Sequence, residues 1–219
     1  MSEYMAADEI RAESVAKMGA ALGNIRYELN NQIVLLHIRW KSYRELFGTS
    51  PDTIALLNAT APAFFYDLER VMWEDVLLHL CRFTDREQTM GRDNLTIQRM
   101  PPLMEVTIKD ELKRLVDLAV DKTGFARDWR NRRLAHSDLA LALNPAVQPL
   151  ATSSRHDVED ALAALRAVMN CVESHYVGCP VSYEHAIEPL GGATSLLAYL
   201  QRGREAREKH FRDAGVPGY

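Results

Sequence analysis

The longest apolar pattern in the chain constrains its fold class most strongly. Between Leu22 and Phe47, apolar residues recur at steps of three and four residues, over about seven turns of 3.6 residues each. This spacing predicts one long amphipathic helix, and Gly48 supplies a C-terminal stop. Because such a helix has to bury its apolar stripe against other elements, the pattern favours a helical bundle.

Helical spacing recurs in several further segments of the chain. No alternating segment of strand length and no internal repeat is present. We therefore predict an all-α bundle of about five to seven helices, in a single domain over residues 1–219, with a long connection at 86–104 and a charged tail at 201–219. The further predicted helices are 4–19, 51–57, 62–85, 106–120, one that follows the capping box of Ser154 and Asp157, and one that carries residues 196–200.

Composition limits the classes of function. The chain has 219 residues, 47% of them hydrophobic, and a formal net charge of -4 with a pI of about 6.0, so a polyanion could bind only at a local patch. One such patch is Lys122, Arg127, Arg130, Arg132 and Arg133, although composition alone favours the interpretation of such a charge run as a solvated helix face. The three cysteines show no paired spacing, and no segment is apolar over about eighteen residues, so we expect a cytoplasmic protein outside the membrane.

Most of the chemically reactive side chains lie between residues 128 and 138. The stretch reads Asp-Trp-Arg-Asn-Arg-Arg-Leu-Ala-His-Ser-Asp. Arginine donates paired hydrogen bonds to phosphate, and histidine exchanges a proton near neutral pH. The alternative is a core-facing histidine and arginine that are hydrogen-bonded to neighbours. If 125–139 forms one helix, its 100° step puts five residues on one narrow face: Phe125, Trp129, Arg132, His136 and Leu139.

Arg130-Asn131, followed by four residues and His136, resembles the signature of the HEPN superfamily. The wider phrase Trp-Arg-Asn-Arg-Arg-Leu-Ala-His-Ser-Asp-Leu resembles the branch found in bacterial abortive-infection systems. Segments 80–85, 94–97 and 195–200 agree with that branch, so the resemblance covers the chain from the first long helix to about Leu200.

The resemblance implies an all-helical, metal-independent ribonuclease that acts as a toxin or antiviral effector. It also implies a homodimer with a composite site at its two-fold axis, an RNA substrate, and no cofactor or metal. A cognate antitoxin or regulatory protein is a further expected partner. The alternative class is a non-catalytic RNA-binding or adaptor module that retains the motif.

RNA scission without a metal suits these residue types. A general base takes the proton of the ribose 2'-hydroxyl, the alkoxide attacks phosphorus, and a cation stabilises the phosphorane oxygens. We assign proton transfer to His136 and phosphate binding to Arg130, as the family motif selects, with Asn131, Arg132 and Arg133 as substrate-binding residues. Arg132 remains the alternative to Arg130, because on a regular helix it lies beside His136 whereas Arg130 is 120° away.

A second polar set lies on the predicted helix 62–85. Asp75, His79, Arg82 and Asp85 follow one another at spacings of four and three, on the face that we expect Phe64, Leu68, Val71 and Leu78 to bury. Charges on an apolar face need partners. We predict a supporting polar network that packs against the motif helix, and leave open whether it is structural or takes part in catalysis.

Overall fold

The structure is a computed structural model, and it describes residues 6–135, 138–144, 149–185 and 191–215. Of these residues 79% are helical, which confirms the all-α class. The α-helices are α1 (Ala7–Met18), α2 (Ala20–Phe47), α3 (Pro51–Thr60), α4 (Pro62–Thr84), α5 (Val106–Lys122), α6 (Gly124–Trp129), α7 (Leu139–Leu143), α8 (Arg155–Tyr176) and α9 (Ala193–Asp213).

The segment between α4 and α5 is more regular than predicted. Strands β1 (Gln88–Thr89) and β2 (Arg92–Asp93) form an antiparallel hairpin, and two 3-10 turns follow at Ile97–Arg99 and Pro101–Leu103. Met90 and Gly91 occupy its tip with φ of 51° and 76°, the left-handed region that a tight hairpin turn requires. The expected connection at 86–104 is thus a short hairpin followed by two tight turns.

The chain divides into two compact units, and α2 and α4 contribute residues to both. The first unit contains Met1–His37 and Val76–His185. Its core is lined by α2, α5 and α8, whose apolar positions are almost wholly inaccessible to water, as with Leu29, Leu112 and Leu165. The apolar residues at helical spacing on α8, from Val158 to Val172, are buried, and Ser154 and Asp157 form the predicted capping box.

The second unit contains Ile38–Asp75 and Ala186–Tyr219. Leu46, Leu57, Phe65 and Ala193 form its buried cluster, and Leu197 and Leu200 of α9 pack against it. Helix α9 continues to Asp213, so the charged segment from residue 201 is helical and largely exposed as far as it is described. The single domain over 1–219 stays a prediction.

The buried face predicted for α4 is wrong at two positions. Phe64 is 62% and Val71 55% exposed, whereas Phe65 and Leu80 are buried and Leu68 is partly buried. The apolar stripe begins one residue later than predicted, because the run Phe64-Phe65 offers two possible registers at helical spacing.

Among the described helices, none is both long and apolar enough to cross a bilayer.

Candidate functional site

The motif does not lie on one regular helix. Helix α6 ends at Trp129, and a π-helix follows over Arg130–Leu134. The N–H of Ala135 donates to the carbonyl of Arg130 at 2.8 Å, which is the i to i+5 bond of a π-turn. Leu139 begins the separate helix α7 and is 72% exposed, so the predicted continuous face through 125–139 is wrong.

Arg130 is held by a carboxylate at the end of α4. Its Nη1 donates to Oδ1 of Asp85, and its Nε donates to the side-chain oxygen of Asn131 at 3.1 Å. The side chains of Arg130 and Asp85 are 24% and 26% exposed, so the ion pair is partly shielded from solvent. Asp85, one of the four residues predicted as a supporting network, therefore does contact the motif.

Hydrogen bonds to the backbone fix the end of α4 that carries Asp85. Nε2 of Gln98 donates to the carbonyls of Thr84 and Asp85, at 2.8 and 3.1 Å. The buried hydroxyls of Thr84 and Thr123 lie 2.8 Å apart, and Nη2 of Arg127 donates to the Thr84 hydroxyl at 3.0 Å. This cluster connects the end of α4 with the start of α6 and so places Asp85 opposite Arg130.

Thr84, Gln98 and Thr123 were missed by the sequence analysis. Thr84 directly precedes Asp85 in the chain, and Thr123 directly precedes the Gly124 that begins α6. These neighbours were the only signal for the two threonines. Gln98 carries no spacing signal, because it reaches α4 from the connection after the hairpin.

Arg132 faces a different set of partners from Arg130. Its Nη1 donates to the carbonyl of Pro149 at 3.2 Å and lies 3.7 Å from Oδ1 of Asp128. Asp128 also accepts the N–H of Ala151 at 2.8 Å, and the indole N–H of Trp129 donates to the Ala151 carbonyl at 2.9 Å. Asp128, four residues earlier in the chain, is thus a carboxylate partner of Arg132.

Arg133 covers the outer face of the motif. Its guanidinium lies 5.3 Å from the ring centroid of Trp129, within cation–π range, and its side chain is exposed. Asn131 is also exposed. Both side chains are therefore accessible to a ligand that approaches the motif from solvent.

The other three residues of the predicted network have different surroundings. Asp75 accepts two hydrogen bonds from Nη1 of Arg39, at 3.1 and 2.8 Å, within the second unit. His79 is buried, whereas Arg82 is exposed, which contradicts its assignment to the apolar face of α4. The face was assigned from the wrong register of the apolar stripe. That these residues act as one network stays a prediction.

His136 and Ser137 lie outside the described residues. The pairing of His136 with Arg130 or with Arg132 stays a prediction. The regular-helix angle that favoured Arg132 no longer applies, because a π-helix separates Arg130 from Ala135.

The chemistry available at the described part of the motif is cationic binding. Cys81 is buried beside the Arg130–Asp85 pair, and burial raises the pKa of its thiol to about 11, an effect that the charge of Arg130 opposes. A thiol with that pKa is protonated at neutral pH and is a poor nucleophile. Among the described residues, no three His, Cys, Asp or Glu side chains gather closely enough to hold a metal ion.

A family model described as AbiU2 (HEPN_AbiU2) matches residues 19–195. The chain belongs to this HEPN-type abortive-infection family. The match runs from the start of α2 into α9 and includes both sides of the Arg130–Asp85 pair. It therefore confirms the HEPN resemblance of the sequence and its extent. No curated protein and no solved structure matches the chain.

In this AbiU2-family chain, the described motif residues fall into two groups according to their contacts. Arg130 and Asn131 lie with Asp85 at the end of α4, and Arg132 and Arg133 lie on the side of the Pro149–Ala151 segment and the Trp129 ring. The arginines of the motif therefore have separate surroundings.

Proposed function

We propose that this chain is a metal-independent endoribonuclease that acts as a toxin or phage-defence effector. The observation that carries the proposal is the Arg130–Asp85 pair, which orients the arginine of the HEPN motif at a π-helical turn. A carboxylate that holds one side of a guanidinium leaves its other donors in a fixed direction, as phosphate recognition requires.

Arg130 keeps hydrogen-bonding capacity after these contacts. Nη1 is used by Asp85 and Nε by Asn131, while Nη2 donates to no residue that the structure describes. In the proposed reaction His136 takes the proton of the ribose 2'-hydroxyl, and the 2'-oxygen forms a bond to phosphorus. The bond from phosphorus to the 5'-oxygen breaks, that oxygen receives a proton, and the other fragment ends in a 2',3'-cyclic phosphate.

Arg130 would stabilise the negative charge that builds on the phosphorane oxygens. Asn131, whose oxygen accepts from Arg130, still has its amide N–H groups to donate to a phosphate oxygen or the ribose. The protein is proposed to act in the cytoplasm as a homodimer in which two copies of His136 complete one composite site. A strictly monomeric mass at micromolar concentration would refute the composite site.

His136→Ala tests the ribonuclease directly. Loss of a general acid or base costs about 10²- to 10⁴-fold in rate, so cleavage in EDTA and any growth arrest on expression should disappear while the helical CD spectrum stays unchanged. His156→Ala is the matched control, because His156 lies on α8 with its side chain 84% exposed. If His136→Ala folds and still cuts RNA, the ribonuclease assignment to this motif is wrong. If it unfolds, His136 is a core histidine.

Arg130→Ala and Arg132→Ala separate the two arginines. We expect Arg130→Ala to reduce cleavage as strongly as His136→Ala, and Arg132→Ala to act mainly through the Pro149 segment to which it is bonded. The opposite order would make Arg132 the functional partner of His136.

A non-catalytic RNA-binding or adaptor module is the second candidate. Asp85 balances the charge of Arg130, as it would in a purely structural ion pair. The two candidates differ in their products: wild-type protein that binds RNA but yields no 2',3'-cyclic phosphate in EDTA supports the adaptor.

A further inference from the structure

A cavity of about 440 Å³ lies beside the motif, and Arg132 and Arg133 line it. The π-helix forms one wall, α7 the second, and residues 149–150 the third. Its polar lining comes from Arg132, Arg133 and Asp138, and its apolar lining includes Leu141, Pro149 and Leu150.

Hydrogen bonds hold the walls of this cavity. Arg132 donates to the carbonyl of Pro149 at 3.2 Å, which ties the third wall to the π-helix. The carboxylate of Asp138 caps α7 by accepting the N–H of Leu141 at 2.8 Å. The N–H of Asp138 donates to the carbonyl of Arg132 at 3.1 Å, so the second and third walls are both bonded to the π-helix, as is usual for a preformed ligand site.

The lining combines three kinds of chemistry that a nucleotide needs. The exposed guanidinium of Arg133, beside that of Arg132, suits a phosphate. Leu141, Pro149 and Leu150 offer apolar surface to the face of a base. The carboxylate of Asp138 repels phosphate but accepts hydrogen bonds from ribose hydroxyls or from an exocyclic amino group. The volume lies within the range of about 300–1,000 Å³ that is usual for small-ligand cavities.

We propose that this cavity binds one nucleoside monophosphate unit, with the base between α7 and Leu150 and the phosphate on Arg133. The proposal rests on the proposed ribonuclease function, in which the unit is the nucleotide next to the scissile phosphate on Arg130. A free mononucleotide would satisfy the same chemistry, and the experiment separates these two sources.

Filling the cavity tests the proposal. Leu141→Trp adds bulk to the apolar wall, whereas Leu143→Trp places the same indole on the same helix at a position that is 77% exposed. The probe is a fluorescently labelled 2'-O-methyl oligoadenylate, which cannot be cleaved by 2'-hydroxyl attack, and its binding is measured by anisotropy. We expect Leu141→Trp to weaken binding about tenfold, as for the loss of one stacked base, and Leu143→Trp to bind like wild type.

A second pair of variants tests the phosphate contact. Arg133→Gln should weaken the oligonucleotide about tenfold, as for the loss of a charge-assisted hydrogen bond. Lys113→Gln removes one positive charge from an exposed position on α5 and should have little effect. Equal losses for the two variants would show a nonspecific charge effect and would overturn the phosphate site.

Competition identifies the source of the ligand. If AMP displaces the oligonucleotide from wild type, and Leu141→Trp weakens the binding of both, the cavity is supported as the site for the nucleotide unit. If Leu141→Trp weakens the binding of AMP but leaves the affinity for the oligonucleotide unchanged, a free mononucleotide is supported as the source. Inorganic phosphate that competes as well as AMP would overturn the proposal, because no base would then be recognised.

The proposal and the ribonuclease function fail in different ways. Suppose that the wild-type protein cleaves RNA and that Leu141→Trp equals it in KM, in oligonucleotide binding and in AMP binding. The proposed nucleotide site is then wrong, and the proposed ribonuclease function still stands. Binding that depends on Leu141 in a protein that never cleaves RNA supports the cavity and refutes the ribonuclease.

Discussion

Replacing Asp85 tests whether its ion pair with Arg130 orders the motif. The two side chains are about a quarter exposed, at 26% and 24%. Fully exposed pairs contribute about 0–1 kcal/mol, and removing one partner of a fully buried pair costs about 3–5 kcal/mol. For this intermediate burial we expect an interaction energy of about 1–2 kcal/mol.

A double-mutant cycle measures that energy without the effects of the separate side chains. Asp85→Asn, Arg130→Gln and the double variant are unfolded with urea and followed by far-UV CD. Asparagine keeps an acceptor oxygen at the same place, so Asp85→Asn removes mainly the charge. Asp110→Asn is the control, since it removes a carboxylate from an exposed position on α5.

The coupling would be refuted if the stability losses of the two single variants add up to the loss of the double variant within about 0.3–0.5 kcal/mol, because independent sites show that additivity. The same variants also test the functional part of the argument. If Asp85 orients Arg130 toward phosphate, Asp85→Asn should lower RNA cleavage by up to about 10²-fold, the scale of a displaced reacting group. Undiminished cleavage with a measurable coupling energy would make the pair structural only.

Three further predictions concern stability. Glu173→Ala should lower the free energy of unfolding in urea by about 3–5 kcal/mol, because Glu173 and Arg26 form a buried ion pair whose side chains are 2% and 12% exposed. Gly23→Ala should lower the free energy of unfolding by about 1–3 kcal/mol, since a Cβ there would lie 2.7 Å from backbone atoms of α1. Gly203 has open space around it, so Gly203→Ala should be neutral or stabilising by up to about 1 kcal/mol. Burial lowers the pKa of His37 from 6.5, so below that pH the unfolded chain binds a proton that the folded chain excludes. Stability should therefore fall with acidification below about pH 6.5, and urea titrations of His37→Gln should show a smaller fall.

Helical spacing predicted the fold class because most of the chain buries one face of each helix. The α8 stripe and its capping box depend only on residues within one helix, and both are present as predicted. The burial of α4 was harder to predict, since Phe64 and Phe65 are adjacent and only tertiary packing selects Phe65. Local periodicity fixes that a helix is amphipathic but cannot choose between two neighbouring registers.

The candidate site was predicted in its residue types but not in its geometry. The motif identified Arg130, and Asp85 was among the four residues expected to support it. The contact between them depends on Gln98 and on the Thr84–Thr123 hydroxyl pair, which join segments distant in sequence. Hydrogen bonds of this kind have no periodic signature, so a single sequence does not reveal them.

The π-helical turn and the placement of the arginines have a common physical basis. A π-turn replaces the i to i+4 bond with an i to i+5 bond, so everything after it is turned relative to a regular helix. Such a turn is rare, and its cost has to be offset by contacts that the regular helix would not make. Arg130 with Asp85 and Arg132 with Pro149 supply contacts of that kind on two sides of the turn. The irregular turn that made the regular-helix prediction wrong therefore also separates Arg130, which is held by Asp85, from Arg132, which lines the neighbouring cavity.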